Sequence, residues 1–199
     1  MITRIYRKAA VLARLFTFHL SLFTSVQAGD LTNYQVVPLP QSIQMQKGEP
    51  FVLNDQVQIL ATEGLQREAQ FLQHYIKEVS DIDLTIADKR QKKAIYIALS
   101  VSPKVTNPEG YVLTVSAKGI TIEGGSPAGV FYGIQTLRKS LLFPLSSFLF
   151  PPAIITDAPR FTWRGMHLDC SRHFFSVAFV KKFIDLLALH NMNRVHWHL

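Results

Sequence analysis

The chain has 199 residues, of which 48% are hydrophobic, and this size suits one or two globular domains. A complete α/β barrel typically needs about 250 residues by itself, so these residues cannot hold a whole barrel beside another domain. The formal net charge is +7, but residues 1–28 contribute four basic residues and no acid. The other charges are scattered, so the sequence predicts no nucleic-acid partner.

Residues 1–28 have the order of a secretory signal peptide. A basic segment leads into an apolar run from Leu15 to Phe23, and small residues end in Val26-Gln27-Ala28. This order predicts cleavage after Ala28 and export to the periplasm or the extracellular space. The apolar run is too short to cross a bilayer as a helix, so we expect no stable membrane span.

Residues 29–155 have the pattern of an α+β domain. A turn sequence at Lys47-Gly48-Glu49-Pro50 predicts a hairpin over residues 42–53. Further strands are predicted at residues 57–60, 94–99, 111–115 and 120–123, with a tight turn between the last two. Apolar spacing predicts helices at 63–80 and 128–142, the second capped by Ser126. We expect a mostly antiparallel sheet with two helices on one face.

Residues 143–158 are apolar and rich in proline, which predicts a stiff connector between two domains. Residues 159–199 then follow the order strand, helix, strand. The strands are predicted at 165–169 and 194–199, and the helix, capped by Ser176, at 177–190. Its buried stripe should contain Val180, Phe183, Ile184 and Leu187, while Lys181, Lys182 and Asp185 should face water. We interpret residues 159–199 as the first βαβ unit of a truncated (β/α)8 TIM barrel.

Ionisable side chains cluster at the ends of these two strands. Because side chains alternate across a strand, His167 and Asp169 should share one face, as should His196 and His198 on the next strand. The intervening apolar residues suit the helix side, so the polar sets should face the barrel interior. Arg172 follows the first strand at the barrel mouth, where a guanidinium can bind vicinal hydroxyls of a sugar. Arg164, at the start of that strand, is expected to be structural.

Two other functions are compatible with these residues. His196 and His198 could bind one metal ion, with His167 and Asp169 completing the site, which would indicate a metal-dependent barrel hydrolase. The α+β domain could also serve as a non-enzymatic carbohydrate-associated module.

Several segments together resemble the family 20 glycoside hydrolases, the β-N-acetylhexosaminidases. The resemblance covers roughly residues 34–199. The segments that carry it are Gly124 to Leu137, Pro159-Arg160-Phe161, Trp163-Arg164-Gly165, Leu168-Asp169-Cys170-Ser171-Arg172-His173-Phe174-Phe175 and His196-Trp197-His198-Leu199.

The resemblance implies a glycosidase that removes terminal, non-reducing β-linked N-acetylglucosamine or N-acetylgalactosamine. It implies a retaining, substrate-assisted mechanism, in which the 2-acetamido oxygen of the substrate is the nucleophile, without cofactor or metal. The implied partners are N-acetylhexosamine-containing glycans or chitooligosaccharides.

Only Arg172 matches a substrate contact of the family, the arginine that holds the 3- and 4-hydroxyls of the sugar. Asp169, His173 and His198 are expected to support it. The family's catalytic Asp–Glu pair lies beyond the second strand, so no catalytic residue is expected in residues 1–199. We therefore expect these residues alone to be inactive, as an N-terminal part of the enzyme.

Overall fold

A computed structural model describes residues 33–91, 94–141 and 148–199, so the predicted signal peptide lies outside the described residues. The three helices of the described part are α1 (Gln66–Ser80), α2 (Pro127–Leu141) and α3 (Val177–Leu189). Its strands are β1 (Ser42–Met45), β2 (Phe51–Val52), β3 (Val57–Ala61), β4 (Thr85–Ala87), β5 (Ile95–Val101), β6 (Tyr111–Ser116), β7 (Gly119–Gly124), β8 (Leu149–Phe150), β9 (Ala153–Asp157), β10 (Gly165–Asp169) and β11 (Arg194–His198).

The main sheet is mixed, and the expectation of a mostly antiparallel sheet is wrong. Its seven strands follow the order β1-β9-β6-β7-β5-β3-β4. The pairs from β1 to β7 are antiparallel, and the pairs from β7 to β4 are parallel. For the β3–β4 pair the physical reason is the helical connection, because α1 crosses over between these strands and returns the chain in the same direction.

The hairpin predicted over residues 42–53 is also wrong. β1 pairs with β9, and β2 pairs with β8 in a separate two-stranded sheet. The intervening turn, with Gly48 at a φ of +144°, carries the chain from one sheet to the other. Both strands therefore find their partners about a hundred residues further along the chain rather than in each other.

The part of the predicted connector that the structure describes is consequently strand rather than linker. β8 and β9 lie within it, and β9 occupies an inner position of the main sheet between β1 and β6. Pro151 and Pro152 stand between the two strands. Proline has no N–H to donate to a strand partner, so these residues interrupt the pairing at that point.

Both helices of the α+β domain pack on one face of this sheet. Buried residues of neighbouring strands form continuous rows, such as Ile59, Ile97, Ile120, Val115 and Ala153. They belong to a single core with Leu72 and Ile76 of α1 and with Val130, Ile134 and Leu137 of α2. This confirms the expected placement of the helices.

The helix cap and the tight turn that the sequence predicts in the α+β domain are both present in the structure. The Ser126 hydroxyl accepts a hydrogen bond from the Ala128 amide at 3.1 Å, where α2 begins. The tight turn joins β6 to β7 at Gly119, whose φ is +148°. A Cβ atom there would lie 2.6 Å from the Tyr96 carbonyl oxygen, so only glycine fits this turn.

β10, α3 and β11 form the parallel βαβ unit that the sequence predicts. Ser176 caps α3 by accepting a hydrogen bond from the Phe179 amide at 3.2 Å. Val180 and Leu187 are buried as expected, whereas Ile184 is exposed. The prediction that Asp185 faces water is wrong, because its carboxylate binds the Arg138 guanidinium of α2 through two bonds of 2.8 and 2.9 Å.

No helix within the described ranges is both long enough and apolar enough to cross a membrane.

Candidate active site

The polar face of β10 and β11 brings together the histidines that the sequence singles out. The parallel register places His167 beside His196 and Asp169 beside His198. The ring of His167 meets the ring of His196 edge-on with their centroids 4.6 Å apart, and it stacks on the ring of His198 at 5.9 Å. The predicted sharing of one face is thus confirmed on both strands.

Asp169 ends β10, and both of its carboxylate oxygens have partners. Oδ1 accepts from the backbone amides of Ser171 at 3.0 Å and Arg172 at 3.2 Å. It also lies 3.1 Å from Nδ1 of His198 on the neighbouring strand. Oδ2 lies 3.0 Å from Nε of Arg172.

These contacts favour the ionised form of Asp169. The hydrogen bond from His198, followed by the two backbone amides, holds the pKa of Asp169 below its usual value. An ionised carboxylate can only accept a hydrogen bond. Nδ1 of His198 therefore carries the proton and donates to Asp169.

Arg172 lies just past the end of β10 and presents its guanidinium outward. Its side chain is 81% exposed, yet Nε is held by Asp169. Among the described residues, Nη1 and Nη2 have no hydrogen-bond partner, so both terminal groups remain free to donate to a ligand. Paired N–H groups in one plane suit two neighbouring oxygen acceptors.

The metal alternative fits this arrangement poorly. Ligand atoms of His167, Asp169 and His198 all lie within 4.8 Å of one another, but His196 does not belong to this group. Asp169 already accepts hydrogen bonds from two amides and one imidazole, and it forms an ion pair with one guanidinium. A divalent cation would have to compete with those donors close to the positive charge of Arg172, which is electrostatically unfavourable. The geometry favours the ion pair between Asp169 and Arg172 over a metal ion at this position.

The side chain of His173 makes no hydrogen bond to Asp169, Arg172 or His198. It is exposed and has no hydrogen bond or ion pair within the described part of the chain, so its supporting role stays a prediction. The other two supporting residues, Asp169 and His198, do contact each other.

Arg164 has the structural role expected from the sequence. Its Nη1 and Nη2 donate to the two carboxylate oxygens of Glu109, each at 3.1 Å. Its Nε donates to the Asn191 carbonyl at 2.7 Å, and Asn193 donates to Glu109 at 3.1 Å. No sequence pattern singles out Glu109, because it lies in a turn 55 residues before its partner.

A second contact that the sequence does not indicate lies on the other face of the strand pair. The indole Nε1 of Trp197 donates to the Cys170 sulfur at 3.1 Å. This contact joins the end of β10 to β11, and Cys170 is a free thiol.

Both parts of this chain match domains of a known protein family. Residues 33–158 match the family described as "Glycosyl hydrolase family 20, domain 2". Residues 161–199 match "Glycosyl hydrolase family 20, catalytic domain". With the α+β domain, the parallel βαβ unit and the arginine at its first strand end, the chain belongs to glycosyl hydrolase family 20.

Individual relatives agree with this assignment. The beta-hexosaminidase of Porphyromonas gingivalis is 34% identical over 174 residues, which are 82% of this chain and 22% of that protein. The beta-hexosaminidase of Vibrio furnissii is 33% identical over 181 residues, or 88% of this chain and 28% of that protein. The chain thus spans about a quarter of the length of these relatives.

Solved structures show the same relationship. The family 20 exo-β-N-acetylglucosaminidase of Vibrio harveyi, in complex with N-acetylglucosamine, superimposes with a TM-score of 0.72 at 30% identity, covering 86% of this chain and 26% of that one. The β-N-acetylhexosaminidase of Bacteroides fragilis gives a TM-score of 0.69 at 28% identity, covering 83% and 33%.

Proposed function

We propose that the protein containing this chain is an exo-acting β-N-acetylhexosaminidase. It would hydrolyse terminal, non-reducing β-linked N-acetylglucosamine or N-acetylgalactosamine from glycans or chitooligosaccharides. The observation that carries the proposal is the Arg172 guanidinium at the C-terminal end of β10. It is paired with Asp169 at Nε and has no hydrogen-bond partner at either terminal group within the described ranges. Relatives named beta-hexosaminidase and a neighbour solved with N-acetylglucosamine support this substrate class.

Arg172 would bind the 3- and 4-hydroxyls of the terminal sugar. Two adjacent hydroxyl oxygens on a pyranose ring present acceptors that a planar guanidinium can reach with separate N–H groups. Since Asp169 neutralises the guanidinium from the Nε side, the free side can contact the sugar without leaving an unpaired cation. The contact would fix the sugar ring relative to the strand ends.

Family membership supplies the remaining chemistry as a proposal. The 2-acetamido oxygen of the substrate would attack the anomeric carbon with retention of configuration. The carboxylates that orient the acetamido group and protonate the leaving group would lie outside residues 1–199. Residues 1–199 would therefore position the terminal sugar, while the carboxylates that carry out the reaction would lie elsewhere in the protein.

The βαβ unit is proposed to be the first part of a (β/α)8 barrel. In such barrels the substrate binds at the C-terminal ends of the strands, and Asp169 and Arg172 lie at that end of β10. We further propose that the protein is exported and that residues 1–28 are removed, on the strength of their basic, apolar and small-residue order.

The test is to assay the whole protein with aryl β-N-acetylglucosaminide and aryl β-N-acetylgalactosaminide. Arg172→Lys should lower kcat/KM about 10- to 150-fold, because a lost hydrogen bond from a charged donor costs ~1.5–3 kcal/mol. Arg67→Lys, at an exposed position of α1, is the matched control and should retain wild-type activity. Absence of hydrolysis of both substrates, or a near wild-type Arg172→Lys, would contradict the proposal.

A further inference from the structure

The side chain of Asp169 links two neighbouring strands to the substrate-facing arginine. It accepts a hydrogen bond from Nδ1 of His198 on β11 and forms an ion pair with Nε of Arg172 beyond β10. Two backbone amides, of Ser171 and Arg172, fix the carboxylate itself. The carboxylate is therefore held by several contacts and mostly shielded, with its side chain 21% exposed, whereas the side chain of Arg172 is 81% exposed.

We propose that Asp169 is the positioning residue for Arg172, and that His198 fixes Asp169 across the strand pair. This inference rests on the proposed function, since it assumes that Arg172 binds the sugar. Asp169 would not touch substrate. It would act by selecting one orientation of the guanidinium before the sugar arrives.

The need for such a residue follows from the side chain of Arg172. A free arginine carries about 2 kcal/mol of rotamer entropy, which binding would otherwise have to remove. Oδ2 lies 3.0 Å from Nε in an ion pair, and this contact restricts the orientation of the guanidinium in the free enzyme. Ordering this group in the free enzyme moves the entropic cost from substrate binding to folding.

His198 is placed to hold the Asp169 carboxylate in position. Asp169 and His198 are direct neighbours in the parallel pairing of β10 and β11. The donor is Nδ1, the ring nitrogen nearer the backbone. An asparagine amide can place an N–H near the position of Nδ1, while alanine removes the donor.

A double-mutant cycle in the whole protein tests the link. Asp169→Asn should lower kcat/KM about 10- to 100-fold, because a misplacement of 1 Å can cost about 100-fold. In an Arg172→Ala background the same change should cost less than about 2-fold, since residues that act through one contact are not additive. Asp55→Asn, an exposed turn carboxylate with the same charge change, should leave kcat/KM unchanged.

Aryl substrates that lack the 3- or 4-hydroxyl separate positioning of Arg172 from a purely structural role. A structural defect would lower kcat/KM equally on all substrates. The fold-loss caused by Asp169→Asn should be smaller on these deoxy substrates than on the parent substrate. Equal losses in both Arg172 backgrounds, with equal losses on all substrates, would overturn the inference while leaving the proposed function intact. An Arg172→Ala variant with unchanged kcat/KM would instead contradict the proposed function.

A second pair of variants covers the case in which Asp169→Asn does not fold. His198→Asn should keep most of the wild-type kcat/KM, whereas His198→Ala should lose activity on the parent substrate more than on the deoxy substrates. Equal activities for His198→Asn and His198→Ala would overturn the role of His198. Melting temperatures of all variants identify losses that come from unfolding.

Discussion

Arg164 and Glu109 form a two-point ion pair between the first strand of the βαβ unit and a turn of the α+β domain. Both N–H···O distances are 3.1 Å, and both side chains are largely buried. The Tyr132 hydroxyl and the Asn193 amide join the same group. The pair holds the beginning of β10, and Arg172 lies past its other end. The α+β domain thus fixes the start of the strand that precedes Arg172.

Replacing Glu109 by glutamine should destabilise the protein by about 2 kcal/mol, because Arg164 would lose its charged acceptor in a largely buried position. Urea unfolding at pH 7 measures this change. Asp81→Asn is the matched control, since Asp81 belongs to an exposed ion pair with Lys77. Exposed pairs contribute about 0–1 kcal/mol, so the control should change stability little. Equal effects of the two substitutions would contradict this account.

The stability of the protein should fall on acidification below pH 4.5. The hydrogen bond from Arg164 holds the pKa of Glu109 below its ordinary value of 4.5, although burial acts in the opposite direction. Above pH 4.5 the stabilisation is fully present. As the pH falls towards the lower pKa of the folded state, the unfolded state binds the proton first and the stabilisation is lost.

Asp185 should also make the protein less stable on acidification, because the hydrogen bond from Arg138 lowers its pKa from 3.8. The check is urea unfolding of wild type, Glu109→Gln and Asp185→Asn between pH 6 and pH 3. Each variant should lose less stability over this range than the wild type. An identical pH slope in all three proteins would refute the assignment.

Lys139 should be a site where substitution stabilises the protein. It is buried on α2 with 4% exposure, and its Nζ has no hydrogen-bond partner in the part of the chain that the structure describes. Burial lowers its pKa to about 8. Below pH 8 the folded state must bury the charged form, and stability should rise as the pH increases from 8 towards 10.5, where the unfolded lysine still binds its proton.

Lys139→Met should therefore raise the free energy of unfolding by about 1–3 kcal/mol at pH 7, with less gain at pH 10. The exposed Lys104→Met is the control and should show no such pH-dependent gain. Thermal melts at both pH values measure the difference. A lower melting temperature for Lys139→Met at pH 7 would show that the ammonium is stabilised in the fold.

Removal of metal ions should not change the activity of the whole protein, because Arg172 rather than a metal ion pairs with Asp169. His196→Gln should act mainly on the melting temperature, since His196 contacts the ring of His167 and is not among the residues that could share an ion. The measurement is kcat/KM before and after dialysis against a chelator. A loss that added zinc or another divalent cation restores would favour the metal-dependent hydrolase.

The mature protein should begin at Gly29. Val26 and Ala28 are the small residues that signal peptidases accept before a cleavage site, and an apolar run precedes them. Mass spectrometry of the exported protein measures the N-terminus. A mature protein that still contains Arg14 would contradict export by cleavage of this segment.

The sequence by itself determined the features that depend on neighbouring residues. Ser126 and Ser176 cap their helices, and Gly119 forms the tight turn, because each requirement is met within about three residues. The side-chain alternation in β10 and β11 correctly placed the histidines on one face. The segments around Arg172 were specific enough to indicate the family.

Only the tertiary structure decided the contacts between residues far apart in the chain. The apolar pattern of β1 shows which face is buried but not which partner it pairs with, so the pairing with β9 could not be derived from it. Glu109 and Asp185 are ordinary surface-type carboxylates in sequence, and each becomes an ion-pair partner only when the βαβ unit docks on the α+β domain. Strand pairing and ion pairing depend on distance in space, so the sequence pattern near each residue does not predict them.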